Sequence, residues 1–148
     1  MTTRAIYRAI SIPGCPAPYD RASLKIFYPA AARDTEEERN TGVIPADPSA
    51  APVPVVIMMP GINVGPESYF WLAGLLAELG VVTVTYTLVA EEMPGYISLT
   101  PGLALGALMP GEYGKQPSAT VVGPILQDLD KLNDSGVLAG CLDLERVV

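Results

Sequence analysis

The chain has 148 residues, a formal net charge of −7, 49% hydrophobic residues and no histidine. This length is typical of one domain and this composition of a folded one, while the acidic balance argues against binding nucleic acid or anionic lipid, because both need a basic face. The absence of histidine excludes a Ser-His-Asp enzyme made from this chain alone, since histidine is the usual general base of such systems.

Two strands are predicted at the amino terminus. Residues 4–12 and 22–28 each alternate hydrophobic with more polar side chains, and a segment rich in proline and glycine, 13–18, turns the chain between them. We predict an antiparallel hairpin with the first strand outermost. Because charges occupy the start of the chain and no segment approaches the roughly 20 apolar residues of a membrane span, we expect a cytoplasmic protein.

The next segment, residues 29–52, is polar and rich in proline, and we predict a surface loop. Three consecutive glutamates, Glu36 to Glu38, could bind a cation. Adjacent carboxylates in a loop are far more often a solvated charge cluster, so the sequence assigns them no function.

A wholly apolar run over residues 53–59 stops at Pro60 and Gly61, and a helical pattern follows. Such a run predicts a central strand buried on both faces, as in sheets with helices on either side. In open α/β sheets, ligands bind beyond the carboxyl ends of the strands. We therefore expect backbone N–H groups around Gly61, Ile62 and Asn63 to face a ligand.

A helix is predicted between Pro66, which suits a first helical position, and Gly80, which suits the end. Trp71 extends its apolar surface either as a packed residue, which is the commoner role, or as a substrate contact. Four leucines recur at helical spacing and are predicted to pack on the sheet, namely Leu72, Leu75, Leu76 and Leu79.

Residues 81–90 have the strongest strand signal in the chain, because they are rich in β-branched side chains. A strand, a helix and a second strand within about 40 residues form a βαβ unit, whose right-handed crossover makes the two strands parallel. The predicted fold class is therefore α/β.

Residues 91–117 have no clear period and contain several Pro-Gly pairs, and a connection this long is usually functional or mobile. It leaves the same end of the sheet as the Gly61 turn. Its larger apolar side chains could line a substrate pocket, form a lid or simply cover the sheet: Met93, Tyr96, Leu99, Leu103, Leu108, Met109 and Tyr113.

Helical spacing resumes over residues 118–135, and Pro124 must either kink this helix or mark its true start. Residues 137–145 are predicted to be a loop. Residues 146–148 then resemble the opening of another buried strand.

Neither metal nor cofactor chemistry is indicated. Cys15 and Cys141 match no zinc or redox spacing, so we predict two reduced, packed thiols. The chain has no phosphate-binding glycine pattern and no cluster of metal ligands, so the sequence implies no cofactor and no metal site.

Three motifs in this order resemble the α/β-hydrolases: Tyr28-Pro29-Ala30, then Pro54-Val55-Val56-Ile57-Met58-Met59-Pro60-Gly61-Ile62, then Leu79-Gly80-Val81-Val82-Thr83-Val84. They look like the branch that contains chlorophyllases, platelet-activating-factor acetylhydrolases and dienelactone-hydrolase-like esterases. The likeness covers nearly all of this chain but only part of a family member. It implies that residues 1–148 form the amino-terminal part of one hydrolase domain, with a hairpin and a parallel βαβ unit, ending before the Gly-x-Ser-x-Gly nucleophile elbow.

The resemblance also implies a role for the Gly61 turn. In this family the residue after the equivalent of Gly61 donates its backbone N–H to the oxyanion, and that residue is Ile62 here, with Asn63 completing the turn. Pro60 stands where the family usually has histidine. No serine of this chain stands in Gly-x-Ser-x-Gly, so the nucleophile, acid and base of the triad are all expected outside this chain.

Two hypotheses follow. The first is the amino-terminal portion of a serine carboxylic-ester hydrolase acting on a small-molecule ester, inactive alone and completed by a missing segment or a partner chain. The second is a non-catalytic remnant that self-associates as a homo-oligomer and acts as a binding or interaction module. The sequence does not identify the substrate.

Overall fold

A computed structural model describes residues 2–61, 64–89, 106, 109–115 and 119–148. In chain order these form β1 (Thr2–Ser11), β2 (Arg21–Ala30), α1 (Glu36–Thr41), β3 (Val53–Met58), a 3₁₀ turn (Pro66–Tyr69), α2 (Phe70–Glu78), β4 (Val82–Leu88), α3 (Val122–Asp134) and β5 (Leu142–Val147). The strands form one sheet in the order β1-β2-β4-β3-β5, with α2 on one face and α3 on the other. The predicted α/β fold is confirmed. Within the described ranges, every helix is too short or too polar to span a lipid bilayer.

The predicted amino-terminal hairpin is present. β1 and β2 pair antiparallel over their full length, from Thr2 opposite Ala30 to Ser11 opposite Arg21. The turn between them holds Gly14 at φ 82°, a conformation that other residues rarely adopt. β1 is the outermost strand at this side, as predicted, and β2 joins the hairpin to the rest of the sheet by pairing antiparallel with β4.

The predicted βαβ unit is also present. β3 and β4 pair in parallel, with Val55 opposite Val82, and β4 is buried along its whole length. β3 is less covered than its apolar sequence predicts, because its second half, from Val56 to Met58, is only half-buried. Burial on both faces is therefore wrong for that half. On one face α2 packs mainly on β4 and β2, and Met58 is only partly buried against its cluster, while Ile57 is partly buried on the opposite face with Val55.

The main hydrophobic core lies between the sheet and α3. Ile125 and Leu129 of α3 are fully buried against inward-facing side chains of the central strands, such as Ile26, Val55 and Val84. Burying a side chain of this size stabilises the fold by about 1.5 to 3 kcal/mol relative to leaving it exposed. The larger of the two described hydrophobic clusters therefore lies on this face of the sheet.

An ion pair also ties β1 to α3. Arg8 donates from Nε to Asp128 Oδ2 at 3.0 Å and from Nη2 to Asp128 Oδ1 at 2.7 Å, a bidentate arrangement. The Asp128 carboxylate is buried. Its hydrogen bond with the Arg8 guanidinium raises the pKa of Arg8 above the ordinary value. The pair fixes the helix across the outermost strand of the sheet.

α2 packs on the opposite face through small residues. Ala73 and Ala77 are fully buried beside Phe27. The predicted leucine stripe is wrong for Leu75, which is 49% exposed, and for Leu79, which is 79% exposed, while Leu72 and Leu76 are half-buried. Two short side chains let the helix approach the sheet closely, and this close fit selects the alanine face over the leucine face.

The Trp71 side chain does not pack on the sheet, since it is 67% exposed, so the prediction of a packed residue is wrong. We use the name α2 ridge for Trp71, Leu75 and Leu79, which follow each other at intervals of four residues along the outer side of the helix. A helix that is apolar on its outer side as well as its inner side is typical of an element that another surface covers.

The end of the described chain differs from the prediction. α3 begins at Val122, so Pro124 lies in its first turn and marks the start of the helix rather than a kink. β5 begins at Leu142, so the loop predicted over 137–145 is wrong in its second half. The Asn133 side chain explains the early strand, because it accepts from Leu142 N at 2.9 Å and donates to Leu142 O at 3.4 Å.

The segment over residues 29–52 runs largely over the surface and includes α1. The Thr35 hydroxyl caps this helix by accepting from Glu38 N, and Gly42 at φ 71° ends it. The acidic residues predicted to be a solvated cluster lie in its first turn, where the helix dipole favours negative charge, and α1 buries none of its residues. Glu36 and Glu37 are exposed, while the half-buried Glu38 carboxylate accepts from Arg33 N at 2.9 Å.

Tyr28 is expected to make the fold sensitive to alkaline pH. Its buried hydroxyl donates to Ile44 O at 2.7 Å, and burial raises its pKa above the ordinary value of 10.0. A raised pKa means that the folded chain holds the phenol proton more tightly, so stability is complete below pH 10 and is lost as pH rises further. In urea titrations Tyr28→Phe should cost about 1 kcal/mol at neutral pH. The variant should also lose less stability than the parent above pH 10; an equal alkaline loss would contradict this role.

Candidate functional site

The Gly61 turn follows the carboxyl end of β3. Pro60 is buried, Gly61 is exposed, and Val64 N donates to the carbonyl oxygen of Gly61 at 3.2 Å. Ile62 and Asn63 lie outside the described residues, so the oxyanion donor at Ile62 stays a prediction. The described part of the turn exposes backbone at the end of the sheet where α/β proteins bind ligands.

The 3₁₀ turn brings Tyr69 back to Gly61. Pro66 occupies its first position, where a missing N–H costs nothing, and Ser68 N donates to Gly65 O at 3.1 Å. The Tyr69 hydroxyl oxygen then accepts from Gly61 N at 3.4 Å. Sequence reasoning missed Tyr69, because no periodicity links two residues that are eight apart across an irregular turn.

The backbone conformation does not itself require glycine at position 61. A Cβ atom added there would lie 3.5 Å from Val64 Cγ2, an ordinary contact, and Gly61 is not among the residues with positive φ. A glycine free of such a constraint leaves room for another molecule to approach the backbone closely. The absence of a side chain therefore suits a ligand site at this turn.

β5 runs beside β3 toward the same turn. The two strands are parallel, with a bulge opposite the Pro54 to Val55 step. Ile57 N donates to Val148 O at 2.8 Å, and Val148 N donates to Val55 O at 3.0 Å, so pairing continues to Val148. The carboxyl ends of β3 and β5 therefore lie next to each other.

The residues predicted to line a pocket are only partly described. Met109 and Tyr113 lie in one short turn, in which Tyr113 N donates to Met109 O at 3.2 Å, and both side chains are exposed. Neither lines the grooves found beside α1 and at the end of α3. The other predicted pocket residues lie outside the described residues, namely Met93, Tyr96, Leu99, Leu103 and Leu108. The pocket stays a prediction.

None of the described groups with a shifted pKa belongs to the Gly61 turn. Burial raises the pKa of the Cys141 thiol, which makes it a poorer nucleophile, and of the Tyr86 phenol. A hydrogen bond from Arg146 lowers the pKa of Asp143. In the part of the chain that the structure describes, no group of three or more His, Cys, Asp or Glu residues could hold a metal ion. Near the described part of the turn, Gly61 N already donates to the Tyr69 hydroxyl, and Glu67 supplies an exposed carboxylate.

A solved esterase has a similar structure. It is a ferulic acid esterase from Streptomyces cinnamoneus, with a TM-score of 0.51 at 17% sequence identity, and the match covers 99% of this chain and 50% of that chain. A scan against protein-family models and a search of curated proteins find no match. At this identity the likeness shows the fold alone, an esterase-like mixed α/β sheet, and the chain spans about half the length of that esterase.

Proposed function

We propose that this chain is the amino-terminal portion of a serine carboxylic-ester hydrolase that acts on a small-molecule ester. It supplies the hairpin, the parallel strands and a backbone oxyanion donor at Ile62, while a carboxyl-terminal segment or a partner chain supplies nucleophile, acid and base. The observation that carries the proposal is the structural match to an esterase of which this chain spans half.

The geometry of the sheet supports a junction at the Gly61 turn. Val148 pairs with Ile57, and parallel strands advance together, so about four further residues along β5 would bring the chain level with Gly61. A nucleophile at that point would lie beside the turn. Backbone donors fixed there could each stabilise the charge on the carbonyl oxygen by about 3 to 4 kcal/mol.

A direct test compares two polypeptides with p-nitrophenyl acetate as substrate. One is the 148-residue chain, and the other is expressed from its natural gene region including the DNA downstream of Val148. We expect no turnover by the first, because it has no histidine, and turnover by the second that phenylmethylsulfonyl fluoride abolishes through its serine. Turnover by the short chain, or none by either, would contradict the proposal.

A second candidate function is a self-associating interaction module. It is favoured by the α2 ridge, whose large apolar side chains are exposed, and by β5, which has no neighbour on its outer side among the described strands. The molar mass from light scattering, together with the identity of any co-purifying polypeptide, distinguishes the two candidate functions. A stable homodimer of the 148-residue chain, without a second polypeptide after purification from its own cells, favours the module; a larger chain or a co-purifying polypeptide favours the hydrolase.

A further inference from the structure

The phenol of Tyr69 carries a hydrogen that no described residue accepts. Its oxygen accepts the N–H of Gly61 at 3.4 Å, in an exposed part of the structure. A phenol can donate its own hydrogen while its oxygen accepts another. Tyr69 therefore presents an O–H donor at the carboxyl end of β3, where the proposed ester site lies.

The residue that follows Tyr69 is held firmly on the sheet. The ring of Phe70 packs against Phe27 with centroids 5.5 Å apart, and the Lys25 ammonium lies 3.8 Å from the centroid of Phe70. This contact restrains the backbone of Tyr69 from one side, and the bond to Gly61 restrains its hydroxyl from the other. At 3.4 Å that bond is long, so the position of the phenol depends mainly on the packing of Phe70.

We propose that Tyr69 donates its hydroxyl hydrogen to the carbonyl oxygen of the ester as negative charge develops on that oxygen. The inference rests on the proposed function, because it takes the Gly61 turn as the ester site. The proton stays on the phenol throughout, so no covalent bond is made or broken at Tyr69. The hydrogen bond from Gly61 polarises the phenol and strengthens its donation.

A role limited to holding the turn predicts a different result. If Tyr69 only braces Gly61, its loss lowers stability and the fraction of active molecules, and the molecules that remain active turn over at the normal rate. If it donates to the developing oxyanion, its loss lowers kcat of every active molecule and leaves KM nearly unchanged, because the bond strengthens only in the transition state.

The experiment uses Tyr69→Phe in the polypeptide expressed from the natural gene region. Rates with p-nitrophenyl acetate are divided by the active sites counted from the initial burst of p-nitrophenol. We expect kcat per active site to fall by about 10- to 100-fold with little change in KM, somewhat less than for a fully buried donor. Tyr7→Phe is the matched control, because it removes the same hydroxyl from an exposed position on β1, and it should keep the parent kcat.

The outcomes separate this inference from the proposed function. If the parent hydrolyses the ester and Tyr69→Phe keeps kcat within about twofold per active site, Tyr69 is not a donor while the hydrolase assignment stands. If the parent does not hydrolyse the ester at all, the proposed function fails and this inference fails with it.

Discussion

The Arg8→Ala variant is expected to unfold with a free energy about 2 to 3 kcal/mol below that of the parent chain. The substitution leaves the carboxylate of Asp128, whose side chain is 9% exposed, without its bidentate partner. The expected loss is smaller than for a fully buried pair, because the Arg8 side chain is 40% exposed and water already screens it in part. Urea titration followed by circular dichroism measures the difference.

Two further variants show whether the burial of Asp128 causes the loss. Arg39→Ala removes an arginine from the exposed pair with Asp34 and should change stability by less than about 0.5 kcal/mol. Asp128→Ala should cost less than Arg8→Ala, because the arginine left behind can reach water. If Arg8→Ala and Arg39→Ala have equal effects, the ion pair across β1 and α3 does not hold the helix in place.

This pair also shows what the sequence could not predict. Arg8 interrupts the apolar face of the first strand, and its partner lies 120 residues further along the chain. Local periodicity predicts strands and helices, and it predicted the hairpin and the βαβ unit, since their partners follow each other closely in the sequence. A tie between distant elements appears only when the fold brings them together. The early start of β5 was missed for another reason, since the Asn133 side chain that bonds Leu142 lies only nine residues away but outside any periodic pattern.

The sequence predicted one part of the candidate site and missed another. The position of the Gly61 turn could be predicted, because an apolar run, a Pro-Gly step and a helical pattern mark the end of a central strand. The hydroxyl of Tyr69 could not, because its contact depends on the path of the intervening turn. Ile62, the predicted backbone donor, lies outside the described residues, so its role is carried by the family resemblance alone.

The hydrophobic pattern of the sequence predicted that the leucines of α2 pack on the sheet, but the alanines do. Ala77→Leu is expected to destabilise the chain by about 1 to 3 kcal/mol, because the added atoms have no space where the helix meets the sheet. Ala77 is fully buried, whereas Leu79 is 79% exposed. Leu79→Ala should therefore change stability by less than about 0.5 kcal/mol.

These two variants form a matched pair, because the substitutions are the reverse of each other, one inside α2 and one at its C-cap. If the leucine stripe were the packing face, the costly and the neutral variant would exchange places: Leu79→Ala would cost about 2 to 5 kcal/mol by leaving a cavity. Ala77→Leu would then lie on the outer surface and be nearly neutral. Thermal unfolding of both variants decides between the two faces, and a costly Leu79→Ala with a neutral Ala77→Leu would overturn the packing described for α2.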